Sequence, residues 1–425
     1  MSEKNIIAYV SQLPKGAIES IRNYGKATGL KFRVMLIMNK ARNAESKTKK
    51  DYPGLDIFLE VDFSASDKIE AALLPYAEKL YAVTTRAESF MSDFIKIIPN
   101  VPYVRTPTTE SLRWASDKLL MRRRLSAYDK KLTPKFIEVK KNTKESRKRI
   151  IKKIGFPLVV KPTNLAQSLL VSVCHHEEEL EQALRKTFGV IERTYSENGR
   201  TETPKIIVEE FMDGLMYSVD AYVSARGRIT FCPLVRTKTG KEVGFDDFFG
   251  YLQITPTILS AESVYKAQEV AAKGVHALAL RSTTVHVELM RMDNTWKVIE
   301  IGARIGGFRH DLHLLTCGID HSMNDVLIRA GVAPIVPKKC GMYGAAMKWY
   351  PKSEGVITKV SGVKRLEKLS SFVRFDGDIK KKGDLIKFAK HGGKAVFRLI
   401  LAHEDRSKLM ADIRRVEESV KIKVE

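Results

Sequence analysis

The sequence predicts an α/β protein of three packed parts, and three observations carry that prediction. Strands alternate with helices through residues 1–115, the pattern of a parallel sheet with crossover helices. Two neighbouring strands near residue 290 each bring one glutamate, Glu288 and Glu300, to one face of a hairpin. From Gly341 onward, short strands separated by turns at Gly362, Gly377, Gly383 and Gly392-Gly393 mark a small β-rich unit. The parts are 1–115, 116–340 and 341–425, and a chain of 425 residues that is 44% hydrophobic can bury a full core.

In the first part, residues 6–10, 34–38, 56–61 and 80–83 read as strands. Helical stretches cover 18–27, closed by Gly29, and 68–76 despite Pro75. The turn after the first strand, Ser11 to Gly16, lacks the G-x-G-x-x-G spacing, so no dinucleotide fingerprint is present. This part is expected to be a scaffold that borders a substrate site.

The second part begins near Trp114. Asp117-Lys118 opens a helix over 119–128, and a basic helix over 140–153 follows. Gly155-Phe156-Pro157 then leads into an apolar strand that ends on Lys161. A lysine there either points its ammonium into a cleft, meeting phosphate as a point charge, or snorkels at a strand end. Further on come a loop and strand to 173, a helix over 177–187, a strand from 206 running into Phe211 to Gly214, and a hairpin around Gly227. An aromatic, acidic loop covers 245–251, and a long helix spans 261–278. A helix over 320–330 has Gly331 as its C-terminal stop, and the third part ends on a helix over 405–420.

The hairpin is the chemical centre. Strands over 285–290 and 296–301 flank a polar turn, so Glu288 and Glu300 can sit side by side. Two carboxylates on an apolar sheet are costly unless a cation neutralises them. Oxygen ligands of this kind suit Mg²⁺ shared with substrate phosphates. Arg304, four residues past Glu300, adds a planar fork of donors for a phosphoryl group. The alternative is a surface hairpin with two solvated glutamates.

Net charge is +23, and from Lys118 to Lys153 fifteen Lys/Arg face three Asp/Glu. Such a field draws polyanions, nucleic acid and ATP alike, or is simply a solvated face. The four cysteines, Cys174, Cys232, Cys317 and Cys340, match no zinc spacing and read as free thiols. No apolar run is long enough to span a membrane and no signal peptide is evident, so a cytoplasmic protein is expected.

Taken together, Asp117-Lys118, the Gly-Phe-Pro-Leu-Val-Val-Lys161-Pro strand, Val-Glu209-Glu210-Phe211-Met212-Asp-Gly, His286-Val-Glu288 and Val-Ile-Glu300-Ile-Gly-Ala-Arg304-Ile-Gly-Gly resemble the ATP-grasp superfamily, in its order and over about 190 residues. Within it the chain looks most like the carboxylate–amine ligases of the L-amino-acid (dipeptide) ligase type. The resemblance implies a central two-lobed nucleotide-binding domain between a preceding α/β domain and a C-terminal lobe. It implies that Lys118 and Lys161 hold the nucleotide phosphates and that the main chain of Glu209, Glu210, Phe211 and Met212 meets adenine. It also implies that Glu288 and Glu300 bind Mg²⁺, with Mn²⁺ as a substitute, and that Arg304 clamps the transferred phosphoryl group. The implied reaction joins a small carboxylate, an amino acid above all, to an amine through an acyl-phosphate at the expense of ATP, and homodimers occur among such chains.

The chain departs from the family pattern at three places. Gly302 stands where many relatives have a metal-binding Asn, Met216 replaces an acidic residue and leaves Glu210 as the nearest ribose contact, and the loop after Lys161 has no glycine, leaving Ser168 as its phosphate donor. His286 points to phosphate, substrate or a structural role on its strand. Arg309, His310 and Asp311 follow the Gly-Gly turn where the family holds its carboxylate. Arg236 and Lys238 either close over phosphates or pair with Asp246 and Asp247. Three other functions compete: a bicarbonate-activating, carboxylase-like enzyme; a basic nucleic-acid binder on this fold, although no aromatic residues interleave with Lys/Arg on a strand platform; and an inactive relative.

Overall fold

The structure, a computed structural model, describes residues 4–165, 169–199 and 202–425. Four strands, β1 (Ile6–Val10), β2 (Arg33–Asn39), β3 (Ile57–Val61) and β4 (Leu80–Thr84), form a parallel sheet in the order β3-β2-β1-β4. The central strands are apolar along their length because both faces are covered. Ile6, Ala8 and Val10 of β1 face a core shared with α2 (Ser66–Leu73) and α3 (Met91–Ile97). Ile7 and Tyr9 face α1 (Ala17–Thr28) and a helix from far along the chain, His321–Ala330. The helix expected over 68–76 stops at Leu73, and Leu74–Lys79 tightens into a 3₁₀ turn with Pro75 in its first positions, where a missing N–H costs nothing.

The next lobe follows α4 (Thr109–Ser116) and α5 (Lys118–Tyr128). Its strands β5 (Phe136–Val139), β6 (Leu158–Pro162), β7 (Ser172–Cys174) and β8 (Ile206–Glu210) form an antiparallel sheet in the order β5-β8-β6-β7. Helices α6 (Lys144–Ile154) and α7 (Glu177–Glu197) cover it through a core that includes Ile150, Leu180, Leu184 and Ile191. The α7 helix runs a further ten residues beyond its expected end, because Ile191 and Tyr195 continue its buried stripe.

The remaining strands are β9 (Leu215–Val223), β10 (Ile229–Phe231), β11 (Val235–Thr239), β12 (Gly250–Thr255), β13 (Thr283–Met292), β14 (Thr295–Gly302), β15 (Tyr343–Trp349), β16 (Gly355–Ser361), β17 (Phe372–Phe375), β18 (Leu385–Ile386), β19 (Phe397–His403) and β20 (Lys421–Val424). A nine-stranded sheet runs β14-β13-β9-β11-β12-β15-β19-β17, with β10 paired to β9. Residues 341–425 therefore share the sheet that carries the hairpin, with β12 pairing β15, and only β18-β16-β20 stand as a sheet of their own. Helix α8 (Ala261–Ala277) backs β13 and β14; a side chain at its Gly274 would meet Ile301, so the glycine sets how closely helix and sheet approach. The last three helices are α9 (Arg309–Cys317), α10 (His321–Ala330) and α11 (Arg406–Ser419).

The expectation of four free thiols is corrected for one pair. Cys317, the last residue of α9, forms a disulfide with Cys340, 23 residues on; the chain folds back over α10 and brings the two Cα atoms to 4.0 Å, a proximity that sequence spacing does not reveal. Cys174 and Cys232 are free and buried. Among the described residues no helix is long and apolar enough to cross a membrane.

Candidate active site

The hairpin places its glutamates as strand alternation requires. Glu288 on β13 stands directly opposite Glu300 on β14, and His286 stands opposite Gly302. On its other side β13 pairs with β9, which sets Ser218 beside Glu288 and Asp220 beside His286. One face of three strands thus carries Glu300, Glu288 and Ser218 in one row and His286 and Asp220 in the next.

The ionised groups of this cluster draw their partners from several elements. Lys118 Nζ donates to Glu300 Oε1 (3.1 Å) and to the Leu165 carbonyl (2.9 Å). It is held there by the cap of α5: the Asp117 carboxylate accepts from the N–H groups of Leu119 and Leu120, and the Lys118 N–H bonds to the Thr163 carbonyl. Arg304 Nε donates to Glu88 Oε2 (3.1 Å), a residue that follows β4 in the first part. His286 bridges the Asp220 carboxylate (3.1 Å from Nδ1) and Glu288 (3.4 Å from Nε2). Burial alone would push the Glu288 carboxyl up, yet His286, Arg304 and Arg309 hold it below its ordinary range. Burial likewise opposes protonation of His286, and Asp220 overrides it and raises the imidazole. Asp220 is itself held well below the usual carboxylate range against its burial by His286 and Arg309.

The cluster requires glycine at one position and a small residue at another. The Gly306 N–H donates to Asp220 Oδ1 (2.8 Å), and a Cβ there would lie 2.4 Å from His286 Nδ1, so only glycine allows the approach. At Gly302 a Cβ would stand 3.4 Å from Glu88 Oε2 and 3.5 Å from Arg304 Cζ. A small residue fits there, but a side chain of asparagine length would run into the Glu88–Arg304 pair. The departure from the family pattern at this position therefore has a local steric reason.

A second set of charges lies in the adjoining lobe. Lys161, expected to face phosphate, is buried and bonds Glu209 Oε2 at 2.7 Å. Arg122 grips the same carboxylate with Nε (2.8 Å) and Nη2 (3.1 Å), and Nη2 also donates to the Ile299 carbonyl, one residue before Glu300. Burial would raise the Glu209 carboxyl; Arg122 and Lys161 hold it down at about 2. Part of the stretch expected to face adenine is engaged within its own lobe. Glu209 lies in the middle strand between β5 and β6, the Glu210 N–H is taken by the Lys135 carbonyl and the Phe211 N–H by Pro157. Met212 follows the end of β8 and pairs with neither neighbouring strand. The Glu210 carboxylate is held by Lys297 (3.2 Å) and by the Lys135 N–H. Ser168 lies outside the described residues.

The weaker expectations divide. Arg309 is buried and tied to Ser218 Oγ (2.7 Å), Gln253 and Asp220, so it braces the floor of the cluster. It opens α9 behind Phe308, which adopts a left-handed conformation (φ 62°). His310 lies on the same helix turn, with Asp320 as its nearest carboxylate at 3.9 Å. Asp311 pairs with Arg374 (2.7 Å). Arg236 does not pair with Asp246 or Asp247: it bonds Glu242 and the Met216 carbonyl, while Asp246 and Asp247 accept from Lys390. The turn at Gly240 brings Glu242 back onto β11 and decides this pairing.

Sequence reasoning missed Glu88, Asp220, Arg122 and Lys348. Asp220 leaves a trace, an acid in the middle of the apolar Tyr-Ser-Val-Asp-Ala-Tyr-Val strand. Lys348, on β15, is lowered by burial and by Arg398 and Arg309, with Glu288 acting in the opposite sense. Glu88, Arg122 and Lys348 reach the cluster only through tertiary packing.

The oxygen donors of Glu288 and Glu300, half-open and in register, fit a hard divalent cation, and the surrounding Lys118 and Arg304 fit phosphate. Comparison with known proteins agrees with that chemistry. Residues 154–311 match the ATP-grasp domain family. The chain is 27% identical over 237 residues to the alanine–anticapsin ligase of Bacillus subtilis (strain 168), covering 53% of this chain and 49% of that protein. It is 29% identical over 160 residues to a D-alanine–D-alanine ligase of Flavobacterium johnsoniae, covering 36% of this chain and 44% of that one. The chain thus spans about half the length of the curated relatives it matches. The crystal structure of an L-amino acid ligase from Bacillus licheniformis superposes with a TM-score of 0.77 at 20% identity over 100% of both chains. Residues 154–311 thus match the ATP-grasp domain family, in a chain whose fold is similar from end to end to that of an L-amino acid ligase.

Proposed function

We propose that this protein is an ATP- and Mg²⁺-dependent ligase that joins a small carboxylate, an amino acid, to an amine and releases ADP and phosphate. The observation that carries this reading is the register of Glu288 and Glu300 on one sheet face, with Lys118 and Arg304 beside them as exchangeable counter-charges. Glu288 and Glu300 would hold Mg²⁺ (or Mn²⁺), which supplies charge neutralisation for the transferred phosphoryl group. Lys118, which spans Glu300 and the Leu165 carbonyl, would pass to the phosphates of ATP as metal takes over Glu300. Arg304 would exchange Glu88 for the phosphoryl oxygens. Met212, beyond the end of β8, is the linker position left for the adenine edge, and Lys161 acts from within its pair with Glu209.

The chemistry proceeds in two displacements. A carboxylate oxygen of the donor bonds to the γ-phosphorus of ATP, and the bond to the bridging oxygen breaks to release ADP. The amine nitrogen then bonds to the acyl carbon, the bond to phosphate breaks, and the surplus proton on nitrogen passes to solvent. Positioning and charge neutralisation suffice for both steps, so no protein nucleophile is needed. His286, Asp220 and Arg309 keep Glu288 ionised and fixed. His310, at the head of α9, would contact the incoming substrates. The reaction suits a cytoplasmic setting with small-molecule partners, and a homodimer is compatible with it.

The test is ADP and phosphate release from Mg-ATP against pooled amino acids, with separate bicarbonate and random-sequence RNA arms, for the wild type and Glu300→Gln. Release that needs amino acids and disappears in the variant is the expected result. Turnover driven by bicarbonate alone, or retained by Glu300→Gln, would overturn the assignment.

A further inference from the structure

A cavity of about 530 Å³ lies at the opposite end of the parallel sheet from the cluster just described. Its walls come from the residues that enter the strands: Asn5 precedes β1, Phe32 precedes β2 and Tyr81 is the second residue of β4. The candidate active site meets this sheet at its other end, where Glu88 follows β4 and reaches Arg304. In open α/β sheets ligands gather at the carboxyl ends of the strands, so a cavity at the amino ends is distinct in place as well as in lining.

The lining is basic and aromatic. Lys4, Lys31, Arg105 and Arg329 line it, and no Asp or Glu is among its lining residues. Lys4 Nζ donates to the Tyr103 carbonyl (3.0 Å) and Arg105 Nη1 to the Ala330 carbonyl (2.6 Å), so two cations are anchored at the wall through neutral acceptors, with no carboxylate paired to either among the described residues. Arg105 lies so close to the end of α10 that a Cβ at Gly331 would sit 2.0 Å from its Nη1. Arg329 is buried and held by Asp325, at 3.3 Å from Nε, and by Thr283 Oγ1, at 3.1 Å from Nη2, while its Nη1 has no hydrogen-bond partner. The Asp325 carboxylate also accepts from Thr84 and Thr284, which fix it against that guanidinium. Phe32 and Tyr81 meet with ring centroids 5.1 Å apart and planes inclined at 54°, and give the cavity an aromatic wall.

We propose that this cavity is a binding site for a small ring-bearing anion, an aromatic carboxylate or a nucleoside monophosphate. The size falls in the range of small-molecule pockets, which combine an apolar body with a few placed polar groups. Arg329 itself is turned to the core, over the Phe94 ring at 5.2 Å, but Lys4, Lys31 and Arg105 converge on the cavity from three segments with no acid among the lining residues, and such a lining calls for a negative group. The Phe32–Tyr81 wall calls for a flat ring beside it.

The test uses the full chain saturated with Mg-ADP, so that the candidate active site is occupied, and measures binding by calorimetry in three arms: AMP, phenylacetate and inorganic phosphate. One ring-bearing anion should bind with one equivalent, and phosphate about tenfold more weakly. Lys31→Glu, at an exposed position that leaves the core intact, should weaken the ring-bearing anion by about tenfold without changing Mg-ADP affinity or melting temperature. The AMP and phenylacetate arms separate the two sources. Silence in both arms, phosphate binding as tight as theirs, or unchanged binding in Lys31→Glu would each overturn the proposal. If Mg-ADP itself does not bind, the ligase reading fails and the three arms still decide this one.

Discussion

Arg122 joins two charged clusters that differ in how far they are closed, and the difference separates architecture from chemistry. On one side Glu209 is fully saturated: three donors from Arg122 and Lys161 share its carboxylate, and the side chains of Arg122, Glu209 and Lys161 are 0%, 3% and 10% exposed. On the other side Glu288 and Glu300 are 30% and 32% exposed, and among the described residues Glu300 has a single ion-pair partner. A closed triad resists exchange, because removing one member strands the others in a poor solvent. A half-open pair gives up its partner at little cost, because water takes over part of the solvation. The first kind of cluster is suited to fastening a fold and the second to exchanging partners with a ligand, and they lie one residue apart where Arg122 holds the Ile299 carbonyl.

The largest expected effect probes the open cluster. Glu300→Gln or Arg304→Ala should lower kcat by about 10³-fold while the melting temperature stays near that of the wild type, the scale for loss of a group that meets developing charge. The next effect probes the closed one. Glu209→Gln leaves Lys161 and Arg122 buried with too few counter-charges and should cost about 3–5 kcal/mol in urea unfolding. A Glu209→Gln protein as stable as the wild type but inactive would break the comparison and move the triad into the chemistry.

Acid should separate two closed regions. Burial lowers His313, in contact with His321 and the Pro233 carbonyl, to about 4. Its contribution is fully present above its ordinary value of 6.5 and is lost as pH falls from there toward 4. Glu209, held at about 2, contributes fully above 4.5 and loses its contribution between 4.5 and 2. Melting temperature against pH should therefore fall in two stages. His313→Asn should lessen the upper stage, which buried His321 shares, and Glu209→Gln the lower, which Asp220 and Glu288 share; a profile that neither variant alters would contradict the assignment.

Much of this was legible in the residues, for identifiable reasons. The alternation of β13 and β14 sets Glu288 against Glu300, and the Asp117 cap sets Lys118 at the head of α5, both through local rules of period and capping. What was not legible depends on distant packing. Glu88 reaches Arg304 across 216 residues, and Arg122 reaches Glu209 across 87. The disulfide of Cys317 and Cys340 likewise needs the fold-back over α10. The sheet that unites β12 with β15 hides in short strands whose pairing partners no local pattern names.

The smallest effect on stability is the sharpest test of exchange. Lys118 bonds Glu300 at 3.1 Å and the Leu165 carbonyl at 2.9 Å from the first turn of α5. The pair is partly exposed, so Lys118→Met should cost no more than about 1 kcal/mol. If Lys118 alternates between Glu300 and phosphate, its loss has two kinetic signs. The KM for ATP should rise by about tenfold, because a phosphate contact is gone. The Mg²⁺ concentration for half-maximal rate should fall, because Glu300 no longer has to release an ammonium before it takes a metal. A fixed structural pair predicts the reverse weighting, a measurable loss of stability with both constants unmoved, so initial rates over a grid of ATP and Mg²⁺ concentrations, set beside one urea titration, decide between an exchangeable partner and a fastened one.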